Sequence, residues 1–212
     1  MAGFFIAFEG PEGAGKSTQL RLLTDRLRAS GLGPLVTKEP GGTPVGERIR
    51  EVVLDPALAV APLSEFLLYS SSRAQLVSEV IRPALDAGEF VLCDRFTGAS
   101  VAYQGYGRGL PLELIDAVTQ SVTAGLKPDL TLLFDLHPEV GLARVAQRGS
   151  KDRLEQADLS FHRRAREGFL RQAETDPGWV TLDASLGQAE LQTLVWGAVE
   201  PYLKPEVHTR SP

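Results

Sequence analysis

Apolar and polar positions change period repeatedly along the chain, and each change marks the edge of an element. Gly3–Glu9 (GFFIAFE) is a short apolar run closed by glycines, which predicts a buried parallel strand. Gly10–Gly15 is a turn, and from Lys16 to Ala29 the residues Leu20, Leu23 and Leu27 recur at helical spacing among Arg and Asp. A second strand, Pro34–Lys38, runs into EPGGTP, after which Val45, Ile49 and Val53 mark a helix. Leu63–Leu85 predicts one long helix with no breaker before Pro83. Phe90–Cys93 is a buried strand ending at Asp94, followed by the Gly-rich segment YQGYGRG, a helix over Leu112–Thr123 and the strand Leu130–Phe134. Pro138–Arg148 reads as a helix, RGSKDR as a polar break, Gln156–Thr175 as an arginine-rich helix, Val180–Leu182 as the last strand and Gln188–Tyr202 as the last helix.

Strands that alternate with helices throughout predict an α/β fold, a five-stranded parallel sheet with helices on both faces. No repeat or linker interrupts the pattern, so one domain is expected over residues 1–204, with 205–212 a frayed polar tail. The composition, 43% hydrophobic and 23% charged over 212 residues, fits a globular chain and excludes collagen, coiled coil and disorder. A lone Cys93 offers no internal disulfide, which favours a reducing, cytoplasmic setting. The N-terminal MAGFFIAFEG has no basic region and too short an apolar run for a signal peptide, and no membrane partner is expected. A net charge of −5 gives no global basic field, so no nucleic-acid partner is expected either.

Candidate chemistry begins at Gly10-Pro11-Glu12-Gly13-Ala14-Gly15-Lys16-Ser17, which matches G-x-x-x-x-G-K-[ST] between a predicted strand and a predicted helix. Glycines there let backbone N–H groups converge on phosphate oxygens, the helix N-terminus adds its positive end, and Lys16 reaches the outer phosphates. Ser17 is a candidate Mg²⁺ ligand, and Thr18 completes the segment expected to bind a nucleoside triphosphate. The sheet then becomes the middle layer of a P-loop NTPase-type three-layer sandwich. A regulatory GTPase is the rival class, but its guanine-reading N-K-x-D needs an Asn, and this chain has none. Glu12 is unexpected in an anion site, where like-charge repulsion is worth several kcal/mol at an effective dielectric of about 20. It needs another task, either a sugar hydroxyl of a second substrate or an arginine that holds that substrate's phosphate.

A second candidate site is Asp94-Arg95-Phe96, at the carboxyl end of a strand, where parallel sheets bind ligands. Arg95 offers a fork for phosphate, and Asp94 accepts from Mg²⁺-bound water or orients Arg95. Asp135 also ends a strand and is read as capping the next helix. The three histidines, His137, His162 and His208, fall outside these motifs and are read as surface or cap residues.

Taken together, FEGPEGAGKST, EPGGTPVGERIRE, the helix with Phe66 and SSRAQL, DRF, SVAYQGYGRGL and RGSKDRLE resemble bacterial thymidylate kinase. The resemblance runs in order from about Phe4 to Glu155 and continues more weakly to the end. It implies ATP-dependent phosphorylation of dTMP, with Mg²⁺ as cofactor and a homodimeric assembly. It also implies that Phe66 stacks on thymine and that Arg73 donates to its O4, the two lying seven apart on one helix face. Ser100 and Gln104 match positions near the base, Tyr103 one near the sugar, and Arg50 and Arg95 positions that grip the monophosphate. With Glu12 and Gly13 in the phosphate loop and Arg144, Arg148, Lys151 and Arg153 after it, the chain resembles the lid-arginine type, with a lid near 144–156. Arg148 and Arg153 are then the expected lid cations, and Lys16 and Arg95 the other catalytic groups. Another nucleotide or deoxynucleoside kinase, or more remotely a non-kinase nucleotide-binding protein, remains the alternative on this scaffold. One departure is that Phe96 stands where the family has a tyrosine.

Overall fold

The computed structural model describes residues 3–147, 149 and 152–203. Arg148, Lys151 and the expected tail 205–212 lie outside the described residues. Five strands, β1 (Phe4–Glu9), β2 (Leu35–Lys38), β3 (Phe90–Asp94), β4 (Leu130–Asp135) and β5 (Trp179–Asp183), form one parallel sheet in the order β2-β3-β1-β4-β5. Helices cover both faces, which makes the three-layer α/β sandwich. β1 stands at the centre of that order and every one of its residues is buried, which a strand covered on both sides meets with apolar side chains at all positions but the last, Glu9. Ile6 and Phe8 face one core, with Leu23 and Leu27 of α1 (Lys16–Ala29) and Val195 of α9 (Gln188–Val199). Phe5 and Ala7 face the other, with Leu76 at the end of α3 (Pro62–Leu76).

Parallel order places the carboxyl ends of β1, β3 and β4 side by side. The turns that follow them therefore share one edge of the sheet, where ligand sites of open α/β sheets form.

Two of the expected helices are corrected, and the Gly-rich segment is helical in part. The predicted helix over Leu63–Leu85 is α3, then a π-helical turn at Val77–Ile81, then α4 (Arg82–Asp86). The wider turn shifts the hydrogen-bond register just before Pro83, which has no N–H to give, so the chain continues where a regular helix would break. Of the Gly-rich segment YQGYGRG, Tyr103–Gly107 lies within a π-helical stretch, Val101–Gly107, that extends α5 (Thr97–Ser100). Its glycines serve close packing. A Cβ on Gly105 would lie 2.6 Å from Leu112 at the start of α6 (Leu112–Thr123), and one on Gly107 2.7 Å from Phe161. Finally, the arginine-rich helix begins at Leu159 rather than Gln156: α8 (Leu159–Thr175) is N-capped by Asp158, which accepts from the Phe161 N–H at 2.8 Å.

Candidate active site

The turn after β1 is shaped by glycines at positive φ, Gly10 at 135°, Gly13 at 69° and Gly15 at 84°. Two of them also allow contact that no side chain permits: a Cβ on Gly10 would meet the Phe134 carbonyl oxygen at 2.4 Å, and one on Gly13 that of Gly141 at 2.3 Å. Gly141 belongs to α7 (Pro138–Ala146), so this helix is pressed against the loop. No side chain caps the start of α1 and no acidic residue stands in its first turn, so its N–H groups remain available to an anion. Lys16 is buried, and its Nζ donates back to the carbonyls of Gly10 at 2.9 Å and Pro11 at 2.7 Å. Burial, with Arg95 nearby, pulls its pKa down to about 8. Ser17 Oγ donates to Asp94 Oδ2 at 2.7 Å, joining the loop to the end of β3.

Arg95 adopts a left-handed backbone at φ 70°, rare for a residue with a side chain. Three bonds hold that turn. The Arg95 N–H donates to the Phe8 carbonyl at 2.9 Å, and the buried Glu9 Oε1 accepts from the N–H groups of Phe96 and Ala99 at 2.9 and 3.0 Å. The guanidinium thus turns back over the loop, donating to the Gly10 carbonyl at 2.9 Å and to Glu12 Oε1 at 3.2 Å. Glu12 Oε1 also accepts from the Tyr103 hydroxyl at 2.6 Å, while His162 Nδ1 lies 3.3 Å from Oε2. Burial alone would raise the Glu12 pKa, but His162, Arg95, Lys16 and Tyr103 outweigh it and hold it at about 2. Of the two tasks open to Glu12, pairing with an arginine is the one its contacts display.

Arg73 on α3 is 1% exposed. Its Nε donates to Glu39 Oε2 at 2.8 Å and its Nη2 to the Phe96 carbonyl at 3.1 Å and Ser100 Oγ at 2.9 Å, while Nη1 has no hydrogen-bond partner. Arg50 Nη1 donates to the Pro40 carbonyl at 2.9 Å. A cleft of about 490 Å³ brings many of these groups together, its walls including residues 12–18, Glu39, Arg50, Asp94, Arg95, Ser100, Tyr103, Gln104 and Arg144.

Several residues stand elsewhere than the sequence suggests. Phe66 is fully buried and is not among the cleft-lining residues. The ring of α3 that does line it is Tyr69, four residues before Arg73 and so on the same helix face. That spacing was readable from sequence, but Phe66 shares the face equally well, and only packing separates them. Arg153 is not a free cation over the cleft. Its Nε donates to the Val53 carbonyl at 2.9 Å and its Nη1 to Glu65 Oε2 at 2.7 Å, tying it to α2 (Pro44–Leu54) and α3. Arg144 does reach the loop, donating to the Gly13 carbonyl at 3.2 Å. Asp135 does not cap α7 but pairs with Arg166 through bonds of 2.7 and 2.8 Å. His162, read as a surface or cap residue, is neither and is buried against Glu12. Glu9 and Glu39 lie in FEGPEGAGKST and EPGGT without an assigned task, Glu65 lies in no motif, and partners far away in sequence give all three their contacts.

This arrangement has counterparts in known proteins. The family model described as thymidylate kinase matches residues 8–195. A thymidylate kinase of Deinococcus radiodurans is 61% identical over 198 residues, covering 93% of this chain and 96% of its own. Those of Pseudomonas fluorescens (strain Pf0-1) and a Synechococcus species are 52% and 50% identical, covering 94% and 98% of this chain and 98% and 100% of theirs. A phosphate loop, a facing arginine and this likeness along nearly the whole chain make the protein a phosphotransferase of the thymidylate kinase family.

Proposed function

We propose that the protein transfers the γ-phosphoryl group of ATP to dTMP, forming dTDP and ADP by direct in-line displacement. One observation carries the reading: the phosphate loop, Ser17 and Asp94 share a single cleft with Arg50, Arg95, Ser100, Tyr103 and Gln104. ATP phosphates held by Gly10–Thr18 and a monophosphate gripped by Arg50 and Arg95 would meet head to head, the alignment in-line transfer requires. The acceptor is a phosphate monoester, mostly a dianion near neutral pH because its second pKa is about 6, so no strong general base is needed.

Lys16 must leave the loop carbonyls for the outer phosphates, and it keeps its charge best when an anion is there to receive it. Arg95, locked by Glu12 and by the turn that Glu9 holds, orients the acceptor phosphate. Ser17 and Asp94 suit Mg²⁺, because a hydroxyl and a carboxylate already in contact are the hard oxygen donors that ion takes beside phosphates and water. Bound there, Mg²⁺ would supply charge neutralisation on the phosphate oxygens. At the base, the Arg73 donor faces a carbonyl, Ser100 holds that arginine, and Tyr69 rather than Phe66 is the ring offered for stacking. Tyr103, bonded to Glu12, is the residue assigned to the sugar. Arg144 and Arg148 are the cations assigned to the lid, which would close over the transferring group and exclude water.

Two copies are proposed to associate through α2, α3 and α6, where Val45, Val52, Leu63, Leu67, Leu112 and Leu114 are exposed. A cytoplasmic location fits a free, buried Cys93; among the described residues no helix is long and apolar enough to cross a membrane. A coupled ADP-release assay across dTMP, dUMP, dCMP, dGMP and thymidine tests the reaction. Preferential turnover of dTMP is expected, and preference for another acceptor overturns the assignment.

A further inference from the structure

Glu65 on α3 is a carboxylate with no exposed surface, and the reaction proposed above leaves it without a task. Three side chains converge on it. Arg153 Nη1 donates to Oε2 at 2.7 Å, Arg108 Nη2 to Oε2 at 3.1 Å, and Gln104 Nε2 to Oε1 at 2.8 Å. The two guanidiniums offset its charge. The third partner is a neutral amide, and among the three it alone lines the cleft beside Ser100 and Tyr103.

A glutamine amide presents a donor on one side and an acceptor on the other, and rotation by about 180° exchanges them. Which side meets a ligand is settled by what holds the other. A carboxylate between two guanidiniums offers acceptors only, so a rotated Gln104 would set its own carbonyl oxygen against a carboxylate oxygen. Glu65 therefore keeps the NH₂ group, and Oε1 of Gln104 is left for the cleft; among the described residues it accepts no hydrogen bond. Behind the same wall Arg73, which has donors only, keeps Nη1 unpartnered. Arg73 is itself 1% exposed and is not among the cleft-lining residues, so the group the wall presents is the Gln104 acceptor. That acceptor complements a 4-oxopyrimidine, which gives N3–H. A 4-aminopyrimidine has an unprotonated N3 and offers it no proton.

We propose that Glu65 is a positioning residue that sets the pyrimidine specificity of the cleft by fixing the orientation of the Gln104 amide. The proposal rests on the reading of dTMP as acceptor. Its test is the ratio of kcat/KM for dTMP to that for dCMP, measured in Glu65→Gln, which lets both amides turn. Glu65→Asp keeps the charge for the arginines while withdrawing the acceptor by one methylene, and it carries the same test should the first variant fold poorly. Arg108→Ala is the control, because it weakens the same buried cluster without freeing Gln104.

Losing one directed hydrogen bond to the base should lower the ratio at least about fivefold in the Glu65 variants, chiefly through a higher KM for dTMP, and leave Arg108→Ala within about twofold of wild type. An unchanged ratio in both Glu65 variants, or an equal fall in Arg108→Ala, overturns the proposal. Wild-type protein inert towards dTMP would instead overturn the function it rests on.

Discussion

Arg95 Nη2 donates to Glu12 Oε1 across 3.2 Å, and this bond fastens the turn after β3 to the phosphate loop. A carboxylate in an anion site is costly unless a cation shares it. Here the cation is the residue assigned to the acceptor phosphate, so the loop orients the second substrate's ligand as well as the first substrate.

Glu12→Ala should release Arg95 and lower kcat/KM for dTMP by about ten- to a hundredfold, the worth of a charge-assisted bond of about 1.5–3 kcal/mol. Because the Glu12 pKa falls from 4.5 to about 2 on folding, its contribution to stability is present above 4.5 and is lost as pH falls through 2. The stability gap between wild type and Glu12→Gln, measured by urea denaturation, should be constant from about pH 5 to 8 and shrink below about pH 4.

Glu9 has the opposite sign. Burial lifts its carboxyl from 4.5 to about 7, although Arg95 and the N–H groups of Phe96 and Ala99 pull the other way. The native state then holds a proton that the unfolded chain has released, so stability falls as pH rises through that window and levels off above it. A shift of this size is on the order of 3 kcal/mol. Glu9→Gln, which mimics the protonated side chain, should flatten the slope in urea denaturation between about pH 5 and 8; parallel curves would remove Glu9 as its source.

Lys16→Ala should leave the circular dichroism unchanged and cut phosphoryl transfer by about a hundredfold or more. In the wild type, a Lys16 pKa of about 8 means the charge that ATP favours is lost above that pH. KM for ATP should then rise by up to about tenfold per pH unit above pH 8, while KM for dTMP changes less. A KM for ATP flat to about pH 9 would contradict this role.

Arg73→Ala should do two separable things. It strands the buried Glu39 carboxylate, costing about 3–5 kcal/mol in urea denaturation, most of which a double Arg73→Leu, Glu39→Leu variant should recover. It should also erode the preference for dTMP over dCMP in whatever fraction stays folded. Recovery of stability without recovery of selectivity in the double variant is the expected signature.

The sequence by itself determined the alternation of strand and helix, the sheet's parallel character and the phosphate loop, because each rests on local periodicity or on glycines within a few residues. It also placed Arg95 at the carboxyl end of a strand. Tertiary structure decided which side of a helix a residue occupies and what its polar end meets. Phe66 and Tyr69 both lie on the Arg73 side of α3, yet only Tyr69 lines the cleft. Arg153, drawn as a free cation from a charged segment, is held by Glu65, which lies 88 positions away in the chain. Pro83 sits within a helix because a π turn precedes it, and His162 is buried because α8 packs across the helix that carries Tyr103. Burial and long-range pairing depend on the whole chain collapsing at once, and these partners share no spacing that a linear pattern records.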